Sequence, residues 1–179
     1  LVRAVRQVVR RAVLIVKLSP NVTSITATAR AAVDAGADAL SAINTFVGMA
    51  IDVEARRPIL ANRTGGLSGP AIKPLALHLV HRVYREVAGP AGVPIIGMGG
   101  AQNWKDAVEF MLAGATAVQT ASALYQKGPE QIAEMLNTLR AWMERHNYAS
   151  LSDFRGKMSQ EATSNPAVYE RVQFMKYFG

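Results

Sequence analysis

Short apolar runs alternate with stretches of helical periodicity along this chain. Residues 1–12 carry apolar and basic positions at helical spacing and predict an amphipathic helix. The run Val13-Leu14-Ile15-Val16-Lys17-Leu18 predicts a buried strand, and Ser19-Pro20-Asn21 breaks it. Residues 23–35 return to helix, with Gly36 as its stop. Residues 38–43 predict a second strand, followed by an irregular stretch from Asn44 to Gly69. Residues 74–87 are helical again, with Leu75, Leu79, Val80 and Val83 on the apolar side, and Gly89-Pro90-Ala91-Gly92 ends them. Residues 93–98 predict a third strand. Asn103 reads as the N-cap of a helix reaching Leu112, Gly114 stops that helix, and residues 116–121 predict a fourth strand. A long helix over 128–146 and a shorter helical piece near 150–156 lead into a C-terminal tail.

One device occurs twice. Ala35-Gly36-Ala37-Asp38-Ala39-Leu40 and Ala113-Gly114-Ala115-Thr116-Ala117-Val118 both read as a helix stop that feeds a strand. Strands and helices in regular alternation imply parallel strands joined by crossover helices. A doubly wound sheet and a TIM barrel both satisfy that pattern. A complete barrel takes eight strands and about 250 residues. Four strands in 179 residues therefore predict an α/β chain that supplies about the C-terminal half of a TIM (β/α)8 barrel. An open sheet is the alternative. The expected organisation is one partial barrel domain over residues 1–179, made of βα units, C-terminal helices and the tail.

Composition narrows the chemistry. The chain has no cysteine, which excludes disulfides, thiolate metal sites and a cysteine nucleophile within it. The net charge of +7 could attract an anionic partner. Arg3, Arg6 and Arg10 recur on one helical face without interleaved aromatics, which predicts a solvated outer face and no nucleic-acid platform. No apolar run nears the roughly 20 residues of a membrane span, and no secretory pattern follows Leu1, so a cytoplasmic location is expected. His78 and His81 have metal-compatible spacing but no third ligand in view, so they read as surface or second-layer residues and no metal is expected.

In either architecture, chemistry belongs at the C-terminal ends of the strands. Those ends read Lys17-Leu18-Ser19, Ile43-Asn44-Thr45, Gly97-Met98-Gly99-Gly100 and Thr120-Ala121-Ser122, and the loop Thr64-Gly65-Gly66-Leu67-Ser68-Gly69 joins them. Glycines between a strand and a capped helix let backbone N–H groups approach an oxyanion, and the following helix dipole favours negative charge. The Gly99-Gly100 and Ala121-Ser122 turns together predict a phosphate site. Lys17 closes an apolar strand, where an ammonium can stabilise a developing anion. Asn44 offers a donor and an acceptor to a ring edge; an Asx-turn is its structural alternative.

These segments resemble class 1 dihydroorotate dehydrogenases, most closely the class 1B catalytic subunit, in order over about residues 13–125. The resemblance is carried by Val16-Lys17-Leu18-Ser19-Pro20-Asn21, Ala42-Ile43-Asn44-Thr45, Pro94-Ile95-Ile96-Gly97-Met98-Gly99-Gly100 and, most specifically, the segment from Pro58 to Pro74. It implies a TIM barrel with FMN at its mouth. Lys17 would contact the flavin ring near its N1/C2 edge, Ile43 and Gly69 would lie against the flavin, and Gly99 and Gly100 would bind its phosphate. Asn44 and Thr45 would hold the pyrimidine. The last phosphate position in the family is usually Gly-Thr; here Ala121-Ser122 keeps the hydroxyl and adds a methyl.

The family reaction oxidises dihydroorotate to orotate in de novo pyrimidine synthesis, passing hydride from C6 to the flavin and a proton from C5 to a cysteine base. That base would lie upstream, so no catalytic residue is expected in this chain and the chain alone would be inactive. The resemblance further implies a homodimer, with electrons leaving through an iron–sulfur and FAD subunit or to fumarate. Two other readings remain at this point. One is a flavin barrel similar to dihydropyrimidine dehydrogenase, and the other is a non-enzymatic, phosphate-binding half-barrel.

Overall fold

The computed structural model describes residues 1–159 of the chain. The C-terminal tail expected after 156 falls mostly outside the described residues. A short helix α1 (Val2–Val8) precedes strand β1 (Ile15–Leu18), helix α2 (Ile25–Asp34) and strand β2 (Ala39–Ala42). Two antiparallel ribbons follow, β3 (Phe46–Gly48) with β6 (Gly65–Leu67) and, between them, β4 (Ile51–Asp52) with β5 (Arg57–Pro58). Helix α3 (Lys73–Val83) continues through a π-helical turn (Tyr84–Ala88) and a single turn α4 (Gly89–Ala91). Strand β7 (Ile95–Met98), helix α5 (Trp104–Leu112), strand β8 (Ala117–Gln119), and helices α6 (Ser122–Lys127) and α7 (Glu130–Arg145) complete the order, before a 3-10 turn at Leu151–Asp153.

Strands β1, β2, β7 and β8 pair in that order, all parallel, in a 4-stranded sheet. The order never reverses. A doubly wound sheet must reverse to place helices on both faces, whereas right-handed crossovers advancing in one direction put every helix on the same face. The sheet is therefore part of a TIM barrel. Helices α2, α3 and α5 cover its outer face, where Leu18, Leu40, Ala42 and Ile95 pack with Ile25, Ala29, Ala76, Val80, Val83 and Phe110. The opposite face is open: Ile15 is 47% exposed, and Lys17, Ala117 and Gln119 are exposed as well. Among the described residues nothing pairs with the outer sides of β1 and β8.

The same turn recurs between units, and more often than the sequence echo suggests. After α2, Gly36 takes φ +92 and the Ala37 N–H reaches back to Ala32 O at 3.1 Å. After α5, Gly114 takes φ +113 and the Ala115 N–H reaches Phe110 O at 2.9 Å. Gly92, with φ +66, repeats the device, and the Val93 N–H reaches Ala88 O at 2.9 Å. These are Schellman-type ends, which need a left-handed residue to satisfy the last carbonyls. Each delivers the chain to the next strand in the same orientation.

Two expectations need correction. The stretch from Asn44 to Gly69 is not irregular: it is built from the two ribbons, and Asn21 anchors it by donating Nδ2–H to Thr45 O at 2.9 Å and accepting the Val47 N–H at 2.9 Å. Arg6 is not part of a solvated face. Its guanidinium donates to Gly36 O at 2.8 Å and to the Asp38 carboxylate, which also accepts the Leu14 N–H at 2.7 Å. The Leu14 N–H and then Arg6 hold the Asp38 carboxyl below the usual range. Arg6 thus pins α1 over the start of the sheet, while Arg3 and Arg10 are exposed. No described helix is long and apolar enough to cross a membrane.

Candidate active site

At the C-terminal ends of the four parallel strands lies a hollow of about 190 Å³. Its walls include Lys17, Ile43, Asn44, Thr45, Gly69, Gly99, Gly100, Ala121 and Ser122, so every site residue read from the sequence comes to one place. Ser68, Ile72, Met98, Ala101, Gln119 and Thr120 complete it. Two other clefts, of about 570 Å³ each, are larger. One lies against Tyr84, Gly89 and Arg155, away from the strand ends, and the other is an apolar trough beside β8 and α7. Position, not size, marks the smaller hollow, because ligands of parallel α/β folds bind at the carboxyl ends of the strands.

β1 lifts Lys17 into the hollow opposite Ser41 of β2. The Lys17 ammonium is exposed and has no hydrogen-bond or ion-pair partner among the described residues. Asn44 is fixed through its backbone, whose N–H donates to Leu18 O at 2.9 Å, while its side chain is exposed at the rim and forms no Asx-turn. The Ala42–Ile43 peptide that precedes it is cis.

The far end of the hollow is made of three turns. Gly69 has φ +86 and ψ −169, and a Cβ there would meet nothing within 4 Å, so the turn leaves the hollow clear. Gly99 has φ +130, and a Cβ there would lie 2.7 Å from the Ala76 Cβ; at Gly100, with φ +78, it would lie 2.5 Å from the Gly69 carbonyl oxygen. The Gly69 and Gly100 turns therefore touch backbone to backbone, which only glycine allows. The third turn, at Ala121-Ser122, is tied to the second: Thr120 Oγ1 donates to Ala101 O at 2.8 Å and Gln102 Nε2 donates to Ser122 Oγ at 2.8 Å.

The expectation about the helix after Gly100 requires adjustment. Asn103 is its N-cap, as expected, and accepts the Lys105 and Asp106 N–H groups at 2.9 and 3.3 Å. Asp106 returns the contact, accepting the Gln102 and Asn103 N–H groups at 2.7 and 3.2 Å. This reciprocal capping box uses up donors that a ligand anion would otherwise share, so the glycine turn and not the α5 terminus is the part open to an anion. Lys73 pairs with Asp106 and Glu109, and those two contacts hold its ammonium above the ordinary lysine value. Gln102, Lys73 and Asp106 escape sequence reading. The spacing Asn103-x-x-Asp106 was the available signal for the last of them.

His78 is exposed and His81 partly buried on α3. Burial, followed by the nearby Arg85, lowers the His81 value, and its Nδ1 finds no partner among the described residues. No group of three or more metal-ligating side chains occurs among the described residues.

Strand order and site position define the class first: this is a TIM-barrel chain whose mouth carries a free ammonium at one end and glycine turns at the other. The family model for dihydroorotate dehydrogenase matches residues 1–143. The chain is 50% identical over 157 residues to the dihydroorotate dehydrogenase B (NAD(+)) catalytic subunit of Phocaeicola vulgatus, covering 88% of this chain and 50% of that protein. Against the protein of the same name from Pelobacter propionicus it is 53% identical over 145 residues, 81% of this chain and 46% of that protein. The chain belongs to the dihydroorotate dehydrogenase family, on the class 1B side. It spans about half the length of these relatives.

Proposed function

We propose that this chain forms the cofactor-holding half of a cytoplasmic FMN-dependent dehydrogenase that oxidises dihydroorotate to orotate. The observation that carries the proposal is the convergence of Lys17, Asn44, Gly69, Gly99, Gly100 and Ser122 on one hollow at the strand ends. Three features favour a flavin phosphate and ring in that hollow. Gly69 lines the hollow, and a Cβ there would meet nothing within 4 Å, so open space lies against that turn. The Gly99-Gly100 turn presents backbone without side chains, and the Ser122 hydroxyl, which accepts from Gln102, keeps its own proton to donate. The Lys17 ammonium is uncommitted.

Bound FMN would supply the two-electron acceptor that no side chain of this protein provides. Lys17, which has no partner among the described residues, would then stabilise negative charge at the ring edge. Asn44 and Thr45 would orient the pyrimidine through a donor and an acceptor. Ile43 and Gly69 would flank the ring and exclude water. The proton from C5 needs a base, and the cysteine of the family reading is not among these 179 residues. A positioned base contributes about 10²–10⁴-fold, so residues outside this chain would carry that share.

The relatives' printed name, a catalytic subunit of an NAD(+) enzyme, supports assembly with a partner subunit; a partner carrying iron–sulfur and FAD groups and a homodimer of the catalytic chain are proposed from the family resemblance alone. The test is anaerobic mixing of the purified intact protein with dihydroorotate or with dihydrouracil. Bleaching of bound flavin by dihydroorotate alone is the expected result. Bleaching by dihydrouracil instead moves the assignment to a dihydropyrimidine dehydrogenase-like barrel. A colourless protein that takes up no added FMN refutes the flavin reading and leaves a non-enzymatic half-barrel.

A further inference from the structure

The turn carrying Gly99 and Gly100 has a carboxylate built in behind it. The Asp106 side chain is only 8% exposed, and one of its oxygens holds the Gln102 and Asn103 amide protons at 2.7 and 3.2 Å. This rigidifies the segment just after the glycines. It also puts a negative charge beside the part of the hollow suited to an anion. In a poorly solvated setting such a charge repels a phosphate strongly unless a cation cancels it, and a nearly buried carboxylate without a partner is costly to the fold itself.

Lys73 is the cancelling cation. Its Nζ lies 2.6 Å from Asp106 Oδ1 and 2.8 Å from Glu109 Oε2. It comes from a separate element, as the first residue of α3, just after the Gly69 turn. The two turns are in contact where it sits, since a Cβ on Gly100 would lie 2.5 Å from the Gly69 carbonyl oxygen and 3.1 Å from the Lys73 Cβ. Neither Lys73 nor Asp106 is among the residues that line the hollow, so the pair lies behind the glycine turn.

We infer that Lys73 is a positioning residue for the phosphate end of the flavin: it neutralises Asp106, so that this carboxylate can lock the Gly99–Asn103 segment without repelling a phosphate. The inference rests on the flavin reading above. Lys105 and Glu109 are the other charged groups of α5 near Asp106, and both are exposed; Lys17 lies on β1, across the hollow.

FMN and riboflavin differ only in the phosphate, so the ratio of their affinities for the intact apoprotein isolates this end of the site. In Lys73→Met the preference for FMN falls about tenfold or more, because Asp106 keeps its charge and loses its partner. Lys73→Arg retains the preference. The double variant Lys73→Met with Asp106→Asn recovers most of it, since the amide oxygen still accepts from the backbone and the charge is gone. Asp106→Asn alone raises the preference by about twofold or more; a fall there overturns the inference whether or not Lys73→Met folds. An unchanged preference in folded Lys73→Met overturns the inference while the flavin reading stands. A wild-type protein that binds riboflavin as tightly as FMN overturns the phosphate reading, and this inference with it.

Discussion

Gly69 and Gly100 share a positive φ but not an environment, and alanine at each should cost the fold by different amounts. Gly69 sits at φ +86, ψ −169, a region that non-glycine residues enter at about 1–3 kcal/mol. A Cβ there meets nothing within 4 Å, so strain is the whole cost to the fold. Gly69 lines the hollow, however, so on the proposed flavin placement an alanine methyl there would compete with the ring for that space. Gly100 at φ +78 carries a similar strain, and its Cβ would also lie 2.5 Å from the Gly69 carbonyl oxygen, which is backbone and cannot rotate aside. Overpacking of that kind adds about 1–3 kcal/mol.

Gly100→Ala should therefore be the less stable variant by about 1–3 kcal/mol, at about 2–4 °C in Tm per kcal/mol for a domain of this size. Gly69→Ala should be the milder variant in a thermal melt of apoprotein yet lose at least about tenfold in FMN affinity by fluorescence titration. Equal melting of the two variants would refute the packing argument. Wild-type FMN affinity in Gly69→Ala would refute the placement of the flavin.

Other outcomes follow from the same geometry. Lys17→Met should melt within about 0.5 kcal/mol of wild type, because the residue is exposed and unpaired, yet lower dihydroorotate turnover of the intact protein by about 10²-fold or more in stopped-flow flavin reduction. Phe110→Ala should cost about 3–5 kcal/mol in urea denaturation, since Phe110 is 0% exposed beneath the sheet. The Asp38 carboxyl is held low by the Leu14 N–H and Arg6. Its stabilisation is thus complete above the ordinary value near 3.8 and is lost as pH falls through the lowered one. Asp38→Asn should flatten the Tm-against-pH curve below about pH 4, and an unchanged acid slope would show that Asp38 contributes nothing there.

Local signals account for what was legible. Gly36 and Gly114 announce their turns because a left-handed residue is needed wherever such a helix ends, and Asn103 announces α5 because its side chain caps the very next amides. The approximate strand ends follow from alternation, and with them most residues of the hollow; Gly69 comes from the loop that joins them. What escaped depends on distant partners. Phe46–Gly48 becomes a strand only by pairing with Gly65–Leu67 and by the grip of Asn21. The fourth strand was expected to run to residue 121 but ends at Gln119, and the short helix α6 (Ser122–Lys127) occupies a stretch to which no element was assigned. Arg6 looked like a surface arginine because Asp38 lies 32 residues away. Lys73 and Asp106 meet across 33 residues, and no periodicity reports that.

The open inner face connects fold to function. Ile15, Lys17, Ala117 and Gln119 point to the side that helices leave uncovered, and the hollow at its rim holds about 190 Å³, below the roughly 300–1,000 Å³ of sites that enclose a ligand. The residues suited to the phosphate lie on turns that close on one another: Gly69 on Gly100, Ala101 on Thr120, Gln102 on Ser122. Those suited to the ring and pyrimidine, Lys17 and Asn44, stand at the open rim with no partner. On the proposed reading, the phosphate end would be pre-organised within this chain, while the reacting end would have a wall on one side only. Cofactor grip and chemistry should separate accordingly. Substitutions at the closed turns should act on FMN affinity, and substitutions at Lys17 or Asn44 should act on turnover with the flavin still bound.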